Sequence, residues 1–373
     1  MSPGLRVLLV RAAYALALIT AVAWAYGVLL VSAGNGTLGY DFKTYDLAVD
    51  RLLAGQSMYD LSATTMGAFG LFFYPPPAAI VVLPFTLLPI DTGIWVWTLL
   101  VVAASVAAVA LMPVSPRTRL LVLLLAAFSW PLVVAIKLGQ VGPVLLLLFA
   151  VGWRWLERPG PLGLSLGLGA VIKLQPALVI GWALVSGRRR AAAIAIGLFA
   201  LLGAIATIVA GPQAWLDWVT VLGNVSHPVL AQNDTGFGRL AYLAGAPESV
   251  AVAIHYANVG LVILVTTLAV LRASPVAAYL AVVVASQFVS PVLWDHYALI
   301  LLLPVAWLLD RGRLWAALIP LATATLLVGL TPVIAYPIAF WITLLAVTWE
   351  GVGRRRGQTL RAQGSAVSSI LGA

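Results

Sequence analysis

The chain has no cysteine and only three histidines in 373 residues. Disulfides and thiolate chemistry are therefore excluded, while the redox compartment stays open. Charge is scarce too: 12 acids and 21 bases make up 9% of the sequence, against 62% hydrophobic residues. There is no Walker-type phosphate loop and no Gly-x-Ser-x-Gly elbow, so neither kind of machinery is expected. No set of residues has metal-ligand spacing, although the acids of the first polar segment have the oxygen chemistry of a divalent-ion site. No soluble domain and no internal repeat stand out.

What the sequence has is length in apolar runs. Mean hydropathy is +1.06, and runs repeatedly reach the ~17 to 25 residues that cross a bilayer as a helix. Breaks at Gly, Pro and Arg place spans near 12–32, 76–90, 93–112, 118–136, 139–156, 161–185 and 190–210. Five more follow near 251–271, 275–292, 297–309, 314–330 and 333–349. The expectation is an all-α polytopic protein of about twelve spans. Residues 12–32 are full length and lack a convincing small-residue cleavage site, so they read as the first span rather than a signal peptide.

The net charge of +9 reads first as a topology signal, and nucleic acid is not an expected partner. With the amino terminus in the cytoplasm, five basic groups fall inside: Arg6 with Arg11, Arg188 to Arg190, Arg272, Arg311 with Arg313, and Arg354 to Arg356. Arg117, Arg119, Arg154 and Arg158 then fall outside, against the rule. A competing layout makes 161–186 a re-entrant pair hinged at "KLQP", which brings Arg154 and Arg158 inside. Under the first layout nine of the twelve acids lie outside. Acids contribute little to orientation, so that concentration points to chemistry on the outer face.

Two long polar segments, 34–75 and 211–250, lie on that face. In the first, "GYDFKTYDLAVDRLLAG" spaces Phe42, Tyr45, Ala48, Val49, Leu52 and Leu53 as an amphipathic surface helix that Gly55 closes. "YPPPAA", residues 74–79, reads as an extended lead into the next span, with Pro77 in a helical first turn. In the second, "GPQAWLDWV" starts an interfacial helix, and "HPVLAQNDTGFGRL" is a polar loop.

Few residues are candidates for chemistry. Asp41, at the start of the surface helix, reads on position alone as a helix cap and otherwise as a reactive carboxylate. Asp46 and Asp50 share a face four residues apart, which suits a solvated surface better than a dyad. Lys173 in "GAVIKLQPALVI" lies deep in an apolar span, where an ionisable group is a functional candidate; the alternative is a snorkelling or carbonyl-bound lysine. Lys137 and Gln140 in "AIKLGQVG" stand nearer a span end. In "SPVLWDHYALI", Asp295 and His296 lie at an outer mouth. His296 suits a phosphate oxygen, with Asp295 holding its ring or binding a sugar hydroxyl; a polar loop tip is the plainer reading.

"DFKTYDLAVDRLLAGQSMYD", "FYPPPAAIVVLPFTLLP", "KLGQVGPVLLLL", "GLGAVIKLQPALVI" and "SPVLWDHYALILLLP", in this order over residues 40–304, resemble glycosyltransferase family 87. This family of the GT-C superfamily includes polyprenyl-phosphate-mannose-dependent mannosyltransferases of phosphatidylinositol mannoside assembly. Two departures stand out: Tyr297 replaces an expected second histidine, and "GQVGP" lacks the asparagine often found after the glutamine. The resemblance implies a GT-C-like seven-span module over 1–210, a second outer loop at 211–250, variable spans at 251–352 and a cytoplasmic basic tail at 353–373.

It also implies an inverting transfer of a sugar, with mannose the best guess, from a polyprenyl-phosphate carrier to a glycolipid or glycan hydroxyl. Transfer is expected on the outer face of the plasma membrane, among membrane lipids and without a cofactor or metal. Asp41 is then the base, and Lys173 and His296 hold the donor phosphate, with Arg239 or Arg158 assisting. Tyr45, Asp46, Tyr74, Gln140 and Asp295 line the sugar or acceptor side. The alternative class is a transporter or flippase, which favours repeated halves and polar groups at midplane. A ligase using a diphosphate carrier calls for more outer arginine than the chain provides. Sugar, acceptor, linkage and oligomeric state are not legible.

Overall fold

The computed structural model describes residues 3–66, 70–324 and 330–352; the basic tail from 353 lies outside the described residues. The first span runs through α1 (Pro3–Ala25), a π-turn (Tyr26–Leu30) and α2 (Val31–Gly34). The amphipathic helix is α3 (Tyr40–Leu53), with Phe42, Tyr45, Ala48 and Val49 buried. The second span is expected at 76–90, but α4 (Pro76–Thr86) has only 11 residues, about 16 Å, too short to cross. Its end stays beside α3: a Cβ on Gly93 would lie 2.9 Å from the Phe85 carbonyl and 3.1 Å from the Phe42 ring. The chain crosses instead in α5 (Ile90–Leu111).

Helix α6 (Pro116–Ala127) breaks at Ser129 and continues as α7 (Trp130–Leu138), and α8 (Gly142–Arg154) turns back from α7 by 118°. The span expected at 161–185 is two helices, α9 (Pro159–Ile172) and α10 (Ala177–Val185). Lys173 between them is extended, at φ −153°, ψ 143°. Both ends of this pair meet, since Arg188 Nε donates to the Leu156 carbonyl at 3.2 Å. The re-entrant layout is therefore the one observed.

Next come α11 (Arg189–Ala210), α12 (Gln213–Val225), α13 (Phe237–Leu243), α14 (Glu248–Arg272) and α15 (Pro275–Phe288). A 3₁₀ segment, Asp295–Leu301, runs into α16 (Leu302–Leu309), and Leu314–Ala317 into α17 (Leu318–Ala322). The last described helix is α18 (Ala335–Val352). Among the described residues, five helices are long and apolar enough to cross a membrane, or six if the α7–α8 pair is one span. Shorter apolar helices fill the space between them, so twelve full-length spans is not the architecture.

These changes correct the placement of the basic residues. Arg154 Nη1 lies 3.5 Å from the Leu111 carbonyl, and Arg119 Nε donates to Met112 and Val114 at 3.1 Å. Asp310 accepts from the Ser115 amide and Thr118 hydroxyl, both at 2.9 Å. Arg188 pairs with Glu157, and Arg313 with Glu350 at 2.6 Å. Arg117, Arg119, Arg154 and Arg158 thus share one end of the bundle with Arg188 to Arg190, Arg311 and Arg313. The opposite end is tied by Ser57 to Asp217 at 2.6 Å, Trp218 to the Phe73 carbonyl at 3.1 Å and the Thr235 amide to the Leu293 carbonyl at 2.7 Å. Both long polar segments are there.

The absence of native cysteine makes this arrangement directly testable. Single substitutions Arg117→Cys, Arg154→Cys and Arg190→Cys are expected to react with an impermeant maleimide from one side of sealed vesicles. Ser62→Cys is expected to react from the other. Labelling of Arg154→Cys together with Ser62→Cys would overturn the re-entrant topology.

Candidate active site

Asp41 is placed by two turns that touch. Gly39 stands at the N-cap of α3 with φ 71°, and Gly139 closes α7 with φ 70°, a conformation that costs side-chain-bearing residues energy. At Gly139 the Gly139 amide bonds Ile136 and the Gln140 amide bonds Ala135, at 3.1 and 2.8 Å, which is a Schellman ending. The turns interlock through the Gly39 amide to the Lys137 carbonyl at 2.9 Å and Trp97 Nε1 to the Gly139 carbonyl at 2.7 Å. A Cβ on Gly39 would lie 2.8 Å from Ile94, and one on Gly139 only 3.5 Å from the Gly39 Cα. Space and φ both demand glycine at these two positions.

With Gly39 at the cap, Asp41 falls in the first helical turn and makes no capping bond. The cap reading of this residue does not hold. Its Oδ2 is buried without a hydrogen-bond partner. Burial pushes the Asp41 carboxyl up to about 7, and the nearby positive charge of Lys173 pulls it back down in part. An acid so tuned takes a proton readily near neutral pH.

Lys173 is buried, with its Nζ 3.9 Å from the centroid of the Tyr297 ring, a cation–π contact. The helix break thus carries the lysine into the Asp41 site, not to a lipid headgroup. His296 is buried as well. Its Nδ1 lies 3.5 Å from Asp295 Oδ1, and its Nε2 is buried and unpartnered. Asp295 accepts Trp130 Nε1 at 2.9 Å through one oxygen and the His296 amide at 2.7 Å through the other. Asp295 thus bridges Trp130 and the His296 backbone, with Oδ1 beside the histidine ring.

Tyr45 and Tyr74 join through their hydroxyls at 3.1 Å, and the Tyr74 carbonyl accepts from Tyr59 at 2.8 Å. Burial holds both phenols protonated, far above their usual range. Gln140 is buried beside the Gly139 turn. Asp46 does not join this group. It lies five residues past Asp41, about 140° around the helix, half-buried, with its carboxyl raised first by burial and then by Asp50. Arg158 belongs to the arginine end, the 14 residues of α9 away from Lys173, about 21 Å. Arg239 bonds the Val229 carbonyl at 2.7 Å.

Three residues without a sequence-level role also gather at Tyr297. Gln175 Nε2 reaches Ser290 Oγ at 3.1 Å and Tyr297 Oη at 3.4 Å, leaving its Oε1 buried and unpartnered. Asp234 is 4% exposed; its Oδ1 accepts the Gly236 and Leu293 amides at 2.8 and 2.9 Å, while Oδ2 is buried and unpartnered. Burial pushes the Asp234 carboxyl up to about 6, opposed by those two amides and by Arg239. The sequence signal for Asp234 was an Asp two residues before Gly, which announces a turn. Its docking on Leu293, 59 residues away, had none.

Because Asp41 is destabilised when ionised, its burial has a stability signature. Below about pH 4 it is protonated in both folded and unfolded chains; between pH 4 and 7 the unfolded chain loses the proton and the fold retains it. The thermal stability of Asp41→Asn relative to wild type is therefore expected to grow from pH 4 to 7 and stay level above. The gain is on the order of a few kcal/mol. Equal melting temperatures at pH 8 would mean that Asp41 is solvated.

Comparison with known proteins agrees with this architecture. The model of glycosyltransferase family 87 matches residues 72–293, which take in Tyr74, Gln140, Lys173, Gln175 and Asp234 but not Asp41. A Mycobacterium tuberculosis protein named polyprenol-phosphate-mannose-dependent alpha-(1-2)-phosphatidylinositol mannoside mannosyltransferase is 32% identical over 293 residues, 71% of this chain and 68% of its own. A Mycolicibacterium smegmatis protein named polyprenol-phosphate-mannose-dependent alpha-(1-2)-phosphatidylinositol pentamannoside mannosyltransferase is 30% identical over 320 residues, 77% of this chain and 72% of its own. No solved structure gives a significant match. The chain belongs to glycosyltransferase family 87 and is a multi-pass membrane glycosyltransferase.

Proposed function

We propose that the protein transfers mannose from a polyprenyl-phosphate donor to a hydroxyl of a mannosylated phosphatidylinositol-type glycolipid, inverting the anomeric centre, at the outer face of the plasma membrane. Donor and acceptor class follow the names of the two relatives above. The observation that carries the mechanism is one buried, unpartnered carboxylate oxygen on Asp41, electrostatically coupled to buried Lys173.

The acceptor oxygen attacks the anomeric carbon as its proton passes to Asp41 Oδ2. The bond from that carbon to the phosphate oxygen breaks on the opposite face, releasing polyprenyl phosphate with one more negative charge. That charge develops beside Lys173 Nζ and beside His296, whose Nε2 donates as the imidazolium with Nδ1–H turned to Asp295; such preorganised groups stabilise a leaving oxyanion strongly. Asp295 and Trp130 keep the histidine in orientation, and Tyr45, Tyr74 and Gln140 border the acceptor side. A membrane-facing groove of about 540 Å³, lined among others by Leu29, Val102, Leu132, Ile136 and Leu299, accommodates the polyprenyl chain. Leu299 follows His296 by three residues, so the groove leads toward the phosphate groups.

Charge supports this face: arginines gathered at one end of a bundle favour the cytoplasm, and Asp41 with both long polar segments lies at the other end. The module boundaries at 210, 250 and 352 fit this division, with 211–250 packed over the site.

Purified wild type supplied with labelled polyprenyl-phosphate-mannose and a mannosylated phosphatidylinositol is expected to form a more heavily mannosylated lipid. Its kcat/KM is expected to be bell-shaped in pH, rising as Asp41 loses its proton and falling as Lys173 loses its own. Asp41→Asn is expected to bind donor normally and lose about 10²- to 10⁴-fold in turnover. Full turnover by Asp41→Asn would remove it from the chemistry.

A further inference from the structure

Two buried acceptor atoms near Tyr297 have no donor within the protein. Asp234 Oδ2 is one and Gln175 Oε1 the other. Each belongs to a side chain whose other polar atom is engaged: Asp234 Oδ1 by two backbone amides, Gln175 Nε2 by Ser290 and Tyr297. Two amides anchor the Asp234 carboxylate, and Ser290 with Tyr297 hold the Gln175 amide. Tyr297 links them to the reaction centre. Its hydroxyl contacts Gln175 and feels the charges of Asp234 and Asp41, and its ring faces Lys173. Leaving a buried acceptor without a donor is costly, more so for a carboxylate, and a ligand bearing hydroxyls removes that cost.

We infer that Asp234 Oδ2 and Gln175 Oε1 form the sugar-selecting subsite of the donor, each accepting a hydrogen bond from a different ring hydroxyl. This rests on the transfer reading above and extends it: Asp41, Lys173 and His296 handle the reacting bond, while Asp234 and Gln175 recognise the sugar. A site built around buried acceptors rejects analogues that lack the matching hydroxyl, because the acceptor is then left unpaired. The third loop element, Trp294 Nε1 on the Gln232 carbonyl at 3.1 Å, fastens the segment carrying Asp234 to the segment carrying Tyr297.

The test uses the full-length enzyme with polyprenyl-phosphate-mannose and its 2-, 3-, 4- and 6-deoxy analogues. Asp234→Asn keeps an oxygen for the two amides and replaces the orphan acceptor with a donor; Gln175→Met keeps length and removes the acceptor. Wild type is expected to lose about 10- to 100-fold in kcat/KM on at least two deoxy donors. Asp234→Asn is expected to lose a similar factor on the natural donor but nothing further on one of those analogues. Gln175→Met is expected to behave likewise on the other. A purely structural role would lower all five donors by the same factor in each variant, and that result overturns the inference while wild-type transfer leaves the reading intact. Absence of wild-type transfer from any of the donors overturns the reading and the subsite with it.

Discussion

Withdrawing a carboxyl group from water without giving both oxygens a hydrogen-bond donor costs several kcal/mol, and a fold keeps such a group only by over-determining its position. Asp41 is held this way. The interlocked turns at Gly39 and Gly139 fix the first turn of α3 against α5 and α7. Around it the structure supplies a cation on a helix break, a histidine steadied by Asp295, and a hydroxyl pair between Tyr45 and Tyr74. Lys173, His296 and Tyr74 come from different parts of the chain to meet α3.

Short helices are what make this convergence feasible. Helices α4, α7 and α9 stop within the apolar layer or at its edge instead of spanning it, and their ends deliver Tyr74, Gly139 and Lys173 to one level. Backbone breaks at such depth are tolerated only where protein or a cavity surrounds them, and here the ends are packed by α3, α5 and the 3₁₀ segment from Asp295. The same economy of crossings gathers arginines from five connections at the opposite end.

The membrane class, the surface helix, its closing Gly55 and the candidacy of Asp41, Lys173 and His296 were legible in the sequence, because each is a local departure from apolar composition. The number of crossings was not. A hydropathy run does not distinguish a helix that crosses from one that turns back, so α4 and the α9–α10 pair were read as spans. The runs at Arg117, Arg119, Arg154 and Arg158 were the warning, and the hinge at "KLQP" is where the chain turns back. Asp46 is close to Asp41 in sequence, but five residues put it on another face of α3. Asp295 was read with two possible roles, and its bond to Trp130, 165 residues away, was not legible. Asp234 and Gln175 needed tertiary contacts between distant segments that no local pattern encodes.

The most direct measurement is an experimental structure of the enzyme with a non-hydrolysable polyprenyl-phosphate-mannose analogue. The account requires the phosphate within hydrogen-bond reach of Lys173 Nζ and His296 Nε2, the anomeric carbon facing Asp41 and the lipid chain leaving past Leu299. A phosphate bound among the arginines of the opposite end, or a sugar with Asp41 on the same side as the leaving phosphate, would contradict it.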